Sequence, residues 1–137
     1  GQYEKALEDY DKAVEVEPLM PDAYNNRGYL KIITGDYEGA IDEYDKMLEV
    51  SPDHPFALNN RGLARFKKGD PEKALEDINK SISLDSTNSY AYRNRALIMI
   101  DRKNTAKACE DLRKAKELGF SQMYGPEVDQ LIDRHCR

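Results

Sequence analysis

With 137 residues, 34% of them charged and 39% hydrophobic, the chain has the length of one ordinary domain but is too polar for one thick core. It is nevertheless too rich in Leu, Ile, Tyr and Ala to be disordered, so we expect each local unit to bury a narrow apolar stripe. Acidic residues exceed basic ones by 26 to 21 without a basic cluster, which argues against a nucleic-acid partner, and the longest apolar run, residues 96–100, is too short for membrane insertion.

The first predicted element is a single helix in residues 1–20. Residues 1–6 match residues 35–40, which begin the second of two helices in the unit that follows. We interpret the segment as the second helix of an incomplete first repeat, whose open end a longer parent chain or a second copy of the protein would cover. Three residues form the apolar face that is left without a partner helix: Leu7, Tyr10 and Val14.

Three complete units of 34 residues follow without insertion or deletion, in residues 21–54, 55–88 and 89–122. The tetrapeptide Asn-Asn-Arg-Gly of the first unit returns at the same place in the second, and Arg-Asn-Arg-Ala occupies that place in the third. A fixed period of this length predicts a stack of like helical units that share one continuous core.

Each unit is predicted to contain two helices. In the first unit they run from about residue 22 to 34 and from about residue 37 to 50, where apolar residues recur with helical spacing. Gly35 is suited to end the first helix in a left-handed conformation, and Asp36 to cap the second. Small residues mark the crossing of the two helices in every unit: Gly28 with Ala40, Gly62 with Ala74, and Ala96 with Ala108.

The order of residues within the unit resembles the tetratricopeptide repeat. An aromatic residue, a glycine, an Ala-x-x-x-aromatic group and a proline follow one another as Tyr24, Gly28, Ala40, Tyr44 and Pro52. The resemblance covers nearly the whole chain. It implies an all-α fold, a right-handed superhelix of about eight helices, with the first helices of the units lining a concave face.

One position departs from the family pattern, because arginine stands where the family usually has leucine before the glycine. Since a free charge near the helix–helix seam would be costly, we expect each arginine to pair with an acidic residue and to lay its stem over the seam. The arginines are Arg27, Arg61 and Arg95, and the expected acidic partners are Glu43, Asp77 and Asp111, with Asp9 in the preceding helix.

Residues 123–137 are predicted to form a C-terminal capping helix, the polar end that a stack of repeats needs. If this helix folds back antiparallel on the last unit, Cys136 comes close to Cys109. A disulfide between them would imply a periplasmic or extracellular compartment. Two reduced thiols, one of them packed as a small apolar residue, are the alternative and leave a cytoplasmic location open.

The sequence indicates no catalytic chemistry. His54 and His135 are far apart and lack metal-ligand spacing, and acidic pairs recur in every unit, as expected of a structural role. There is no glycine-rich phosphate loop. We therefore expect a protein that is not an enzyme and that needs no metal and no cofactor.

The predicted concave face carries amides beside aromatic and aliphatic residues. Because an amide both donates and accepts hydrogen bonds, a ladder of Asn26, Asn60 and Asn94 would bind the backbone of an extended peptide. Alternatively, the asparagines bond to neighbouring helices or to water. The candidate groove residues are Asn25, Asn26, Tyr29, Phe56, Asn59, Asn60, Leu63, Phe66, Tyr90, Arg93, Asn94 and Leu97.

The expected partner is a protein or peptide, but not an Hsp70 or Hsp90 tail. Family members that bind such tails clamp the terminal carboxylate with lysine, arginine and asparagine at five positions. Only Asn60 matches that set, since the other four positions hold Asn25, Tyr29, Tyr90 and Asn94. The alternative is a structural module that stacks on further repeats or on another copy, without a ligand in its groove.

Overall fold

The computed structural model describes residues 1–16 and 21–136, and the side chains of all of these except residues 16, 21 and 22. The end of the first predicted segment, residues 17–20, lies outside the described residues. Within them the chain is entirely α-helical, with nine helices: α1 (Gln2–Val16), α2 (Pro21–Ile33), α3 (Tyr37–Val50), α4 (Pro55–Lys68), α5 (Pro71–Leu84), α6 (Ser89–Asp101), α7 (Thr105–Glu117), α8 (Phe120–Tyr124) and α9 (Glu127–His135).

The sequence predicted about eight helices, and the short helix α8 is the additional one. It lies between two glycines with positive φ, Gly119 at 91° and Gly125 at 96°, which turn the chain before and after it. Among the described residues, no helix combines the length and apolar character needed to cross a membrane.

The turns within the units follow the predicted chemistry. Gly69 ends α4 in the left-handed conformation with φ 108°, and the side chain of Asp70 then accepts the backbone N–H of Lys73 to begin α5. The third unit has Lys103 in the glycine position with φ 61°. A left-handed conformation there costs roughly 1–2 kcal/mol for a residue with a Cβ.

The two helices of each unit cross where the sequence places small residues. Ala40 and Ala74 are completely buried on the second helices. A Cβ built on Gly62 would lie 2.6 Å from Cγ1 of Ile78 and 3.0 Å from the backbone oxygen of Ala74. The close approach of α4 and α5 therefore depends on a glycine at this position.

The last unit is closed by α8 and α9. Val128 of α9 and Phe120 of α8 are buried in a cluster with Leu112 of α7. The structure joins Cys109 of α7 to Cys136, just after α9, in a disulfide whose Cα atoms are 5.7 Å apart. The end of the chain is thereby attached to the start of α7, in the antiparallel arrangement expected of a cap.

Among the residues that the structure describes, the first helix packs against α2. Ala6 and Tyr10 are half-buried in α1, whereas the residues that occupy the same positions in α3, Ala40 and Tyr44, are completely buried. Part of the apolar face of α1 is therefore open.

Candidate functional site

The first helices of the three complete units, α2, α4 and α6, lie side by side in sequence register. They enclose a cleft of about 400 Å³, which we call the amide cleft. Among the residues whose side chains the structure describes, no charged group lines it. Its lining residues are Asn25, Asn26, Tyr29, Phe56, Asn59, Asn60, Asn88, Tyr90 and Tyr124.

Most amides of this cleft are committed to each other. Asn60 Nδ2 donates to Asn25 Oδ1 at 3.0 Å, and Asn94 Nδ2 donates to Asn59 Oδ1 at 2.9 Å. Each bond joins the first helices of adjacent units. The ligand-binding ladder of Asn26, Asn60 and Asn94 stays a prediction, and for Asn60 and Asn94 the alternative has support, because Nδ2 of each already donates to an asparagine on a neighbouring helix.

Three groove candidates, among them Asn94, are almost completely buried. Asn59 and Asn94 are only 2% and 1% exposed, and Leu63 is 3% exposed within the core of the first units. Phe66 packs against the core formed with Ile78. Neither Phe66 nor Leu97 lines the amide cleft or the neighbouring cleft described below.

Exposed groups remain at the rim of the amide cleft. Phe56 and Tyr124 are 51% and 50% exposed, and Asn26 is exposed as well. The amide nitrogen Nδ2 of Asn88 is buried without a hydrogen-bond acceptor among the described residues. The sequence prediction missed Tyr124 and Asn88, although Tyr124 continues the 34-residue column of Phe56 and Tyr90 and could have been found from it.

Tyr29 stands between the amide cleft and a second, smaller one. Burial and the interaction with Tyr90 raise the pKa of Tyr29 to about 12. The second cleft, which we call the basic cleft, measures about 260 Å³ and is lined by Tyr29, Ile32, Ile33, Tyr37, Leu63, Lys67 and Arg93.

Arg93 is held by aromatic rings and has little contact with acid. Its guanidinium carbon lies 4.8 Å from the ring centre of Tyr90 and 5.8 Å from that of Phe120. The single carboxylate that the described residues bring within ion-pair distance is that of Glu127, 3.6 Å from Nε. Arg93 lines the basic cleft and not the amide cleft, and its role in binding a ligand stays a prediction.

Each arginine of the recurring tetrapeptide donates to an acid of its own unit and to an acid or amide of the unit before it. Arg27 donates from Nη2 to Glu43 and from Nη1 to Asp11, each at 2.7 Å. The prediction of Asp9 as a partner in the preceding helix is therefore wrong, because Arg27 binds Asp11 there and Asp9 is exposed. Asp11 lies 16 positions before Arg27, and Glu43 lies 16 positions after it. The corresponding partners in the later units are Asp77 and Asp45 for Arg61, and Asp111 and Asn79 for Arg95.

The three arginines bridge equivalent helices, although Arg61 and Arg95 bind the acid of their own unit through Nε and Nη2 and Arg27 through Nη2 alone. Each arginine connects the second helix of its own unit to the second helix of the unit before it. The same side chain therefore stabilises the contact within a unit and the contact between units. The sequence signal for the missed partners was present, since Asp11, Asp45 and Asn79 also recur at the 34-residue period.

Models of this repeat match most of the chain. One, described as a TPR repeat, matches residues 1–32 and 28–69, and another, described as the tetratricopeptide repeat, matches residues 55–88. The chain belongs to the tetratricopeptide repeat family. The fold is the family's right-handed α-α superhelix, and the family is in general a non-catalytic interaction module. No curated protein sequence matches the chain significantly.

Solved tetratricopeptide repeat structures share the fold at low sequence identity. The TPR2B domain of yeast Sti1 in complex with pHsp70 has a TM-score of 0.69 and 24% identity, covering 83% of this chain and 90% of that one. The TPR domain of Sgt2 from Aspergillus fumigatus has a TM-score of 0.66 and 25% identity, covering 83% and 80%. A crystal structure of MamA protein has a TM-score of 0.69 and 21% identity, covering 98% and 78%.

Proposed function

We propose that this protein is a non-catalytic interaction scaffold that binds an extended segment of a partner protein in the amide cleft. The observation that carries the proposal is the placement of an exposed amide, Asn26, beside the exposed rings of Phe56 and Tyr124 in one cleft. Exposed apolar rings beside a few polar anchors are typical of a binding surface.

The cleft suits a peptide backbone better than a charged ligand. Asn26 has both a donor and an acceptor, which match the C=O and N–H of a peptide bond. The unpaired Nδ2 of Asn88 offers a second donor, and a buried donor without a partner costs about 1–3 kcal/mol until a ligand satisfies it. The aromatic rims of Phe56 and Tyr124 would then take apolar side chains of the peptide.

The ligand we propose is an internal peptide segment, not the tail of Hsp70 or Hsp90. The first TPR of Spaghetti (RPAP3), whose structure has a TM-score of 0.66 at 22% identity and covers 82% of this chain and 93% of its own, was solved with the HSP90 peptide SRMEEVD. In this chain the positions of a terminal-carboxylate clamp hold no lysine or arginine. Of its amides, Asn60 is bonded to Asn25, and Asn94 is buried.

A peptide-array screen followed by fluorescence anisotropy tests the proposal. We expect Asn26→Ala and Phe56→Ala to weaken binding of the selected peptides at least about fivefold each, since a contact at the centre of an interface contributes more than about 1 kcal/mol. Val50→Ala is the matched control, because Val50 is 73% exposed at the end of α3 and lines neither cleft. Peptides that bind both variants as tightly as the unchanged protein would refute the groove.

A second function, self-association through α1, is favoured by the open face of this helix. Ala6 and Tyr10 are only half-buried at positions that are completely buried in α3. Further repeats or another copy of the chain would cover them. Light scattering should then show a mass above that of one chain, and Tyr10→Glu should return it to a monomer. A monomeric mass at high concentration would exclude this function.

A further inference from the structure

We propose that the basic cleft binds the side-chain carboxylate of an aspartate or glutamate in the same peptide. The inference rests on the proposed peptide function and adds a specificity to it. A peptide that crosses Tyr29 leaves the amide cleft and enters the basic cleft, because Tyr29 lines both. The groove would thus select segments in which an acidic residue lies beside the backbone-binding stretch.

The first observation is the incomplete neutralisation of Arg93. Its side chain is only 9% exposed, and its Nε is buried without a hydrogen-bond acceptor among the described residues. The contrast with Arg61 is direct, since Arg61 donates to Asp77 at 2.8 Å and to Asp45 at 3.0 Å. A buried guanidinium with one carboxylate at 3.6 Å has unused donors, and a second carboxylate would satisfy them.

The second observation is that Arg93 is fixed in place before any ligand arrives. Its guanidinium is held over the rings of Tyr90 and Phe120, and Phe120 itself is only 1% exposed. A stacked guanidinium loses little side-chain entropy when it binds a carboxylate. The cap of the protein therefore positions a cation in the groove.

The third observation is the composition of the basic cleft. Lys67 lies exposed in its lining, and the lining residues that the structure describes include no acidic one. This pairing of two cations stands out in a chain of net charge −5. Ile32, Ile33 and Leu63 provide an apolar wall, which suits the methylene groups of the acidic side chain or an apolar neighbour.

The size of the cleft indicates a single side chain. Its volume of about 260 Å³ lies below the roughly 300–1,000 Å³ of sites for whole small-molecule ligands. A peptide's terminal carboxylate has the same chemistry as a side-chain carboxylate, so the experiment must separate the two sources. We assign the cleft to the side chain, and peptides with an amidated C-terminus make the distinction.

The test uses the whole chain and amidated peptides chosen from the array. Each selected peptide is compared with a copy in which its Glu or Asp is replaced by Gln or Asn. We expect this replacement to weaken binding about tenfold or more, because a charge-assisted hydrogen bond to a buried group contributes about 1.5–3 kcal/mol. Raising the salt concentration should weaken binding of the acidic peptide and leave that of its amide copy nearly unchanged.

Two variants then assign the effect to the cleft. Lys67→Gln should weaken the acidic peptide about two- to fivefold, as an exposed ion pair does, and leave the amide copy unaffected. Arg93→Gln should remove most of the preference for the acidic peptide over its amide copy. Thermal unfolding of this variant shows whether it is folded. Lys46→Gln is the control, since Lys46 is exposed on α3 and lines neither cleft. If Arg93→Gln does not fold, the result for Lys67→Gln decides.

The possible outcomes separate this inference from the function beneath it. Suppose that Phe56→Ala weakens peptide binding, but that acidic peptides bind no better than their amide copies, or that Lys67→Gln weakens both copies equally. Either result would overturn the acidic subsite alone. If binding requires a free C-terminal carboxylate, the basic cleft binds the end of the peptide, and the assignment to a side chain is overturned. If no peptide binds, both proposals are overturned.

Discussion

Arg61 and Asp77 form a two-point contact across the seam between α4 and α5, with Nε donating to Oδ2 at 2.9 Å and Nη2 to Oδ1 at 2.8 Å. Asp77 is only 5% exposed. Parallel hydrogen bonds of this kind fix both the distance and the orientation of the two groups. The same contact recurs between Arg95 and Asp111, so it is a repeated joint of the stack.

Removal of Arg61 should destabilise the protein strongly. Arg61→Leu would leave Asp77 buried with Arg65 as its remaining partner at 2.7 Å, and we expect a loss of about 2–4 kcal/mol in the free energy of unfolding, because a buried carboxylate loses its two-point partner. Urea denaturation followed by circular dichroism measures the change. Lys46→Leu, on the exposed side of α3, should change stability by less than about 0.5 kcal/mol. Equal losses in the two variants would contradict the role of the seam.

Gly62→Ala should cost about 1–3 kcal/mol, the usual cost of forcing extra volume into a packed seam. The added Cβ would meet Cγ1 of Ile78 at 2.6 Å, and α4 and α5 would have to separate. The third unit places Ala96 opposite Leu112 at the same two positions. Ile78→Leu should therefore recover part of the loss in the double variant, since leucine is not branched at Cβ. Urea denaturation of the single and double variants checks this, and an unchanged or greater loss in the double variant would show that the Ile78 contact is not the cause.

The Cys109–Cys136 disulfide should contribute about 3–4 kcal/mol to stability in the chain-entropy account, given its sequence separation of 27 residues. Chemical denaturation with and without a dithiol reductant measures the contribution, and Cys136→Ser, which has no disulfide to lose, should not respond to the reductant. Intact mass after alkylation under non-reducing conditions reports the bond directly. Two freely alkylated thiols in protein taken from its native compartment would reject it.

Tyr29 should make stability depend on pH in alkaline solution. Burial raises its pKa in the folded state from the ordinary 10.0 to about 12. Because the folded pKa is the higher one, the associated stability is fully present below about pH 10 and is lost as the pH rises towards 12. The difference in tyrosinate absorbance between the unchanged protein and Tyr29→Phe should therefore titrate near 12. A difference that titrates at the ordinary value would show that the hydroxyl is solvated in the folded protein.

Much of the fold was predictable from sequence because its determinants are local and repeat. Two kinds of determinant act within one unit: capping side chains such as that of Asp70, and the small residues at the helix crossings. Because both recur with the 34-residue period, a pattern found in one unit can be tested in the next. The fold-back of the cap onto α7 followed from chain order and helix length alone. Even the pairing of Arg27 with Glu43 could be inferred, since a charge at a seam requires an opposite charge nearby.

Tertiary structure alone decided which polar groups of the groove are free for a ligand and which bond to other groups of the protein. Asn26 and Asn60 occupy the same column of the repeat, yet one is exposed and the other donates to Asn25. A period shows which positions are equivalent, but a neighbouring unit stacked at a particular offset determines which amides reach each other. The surroundings of Arg93 have the same origin, because they combine Tyr90 of α6 with Phe120 and Glu127 of the cap. Local sequence thus determined the helices and their register, and the packing between units determined which polar groups remain free to bind.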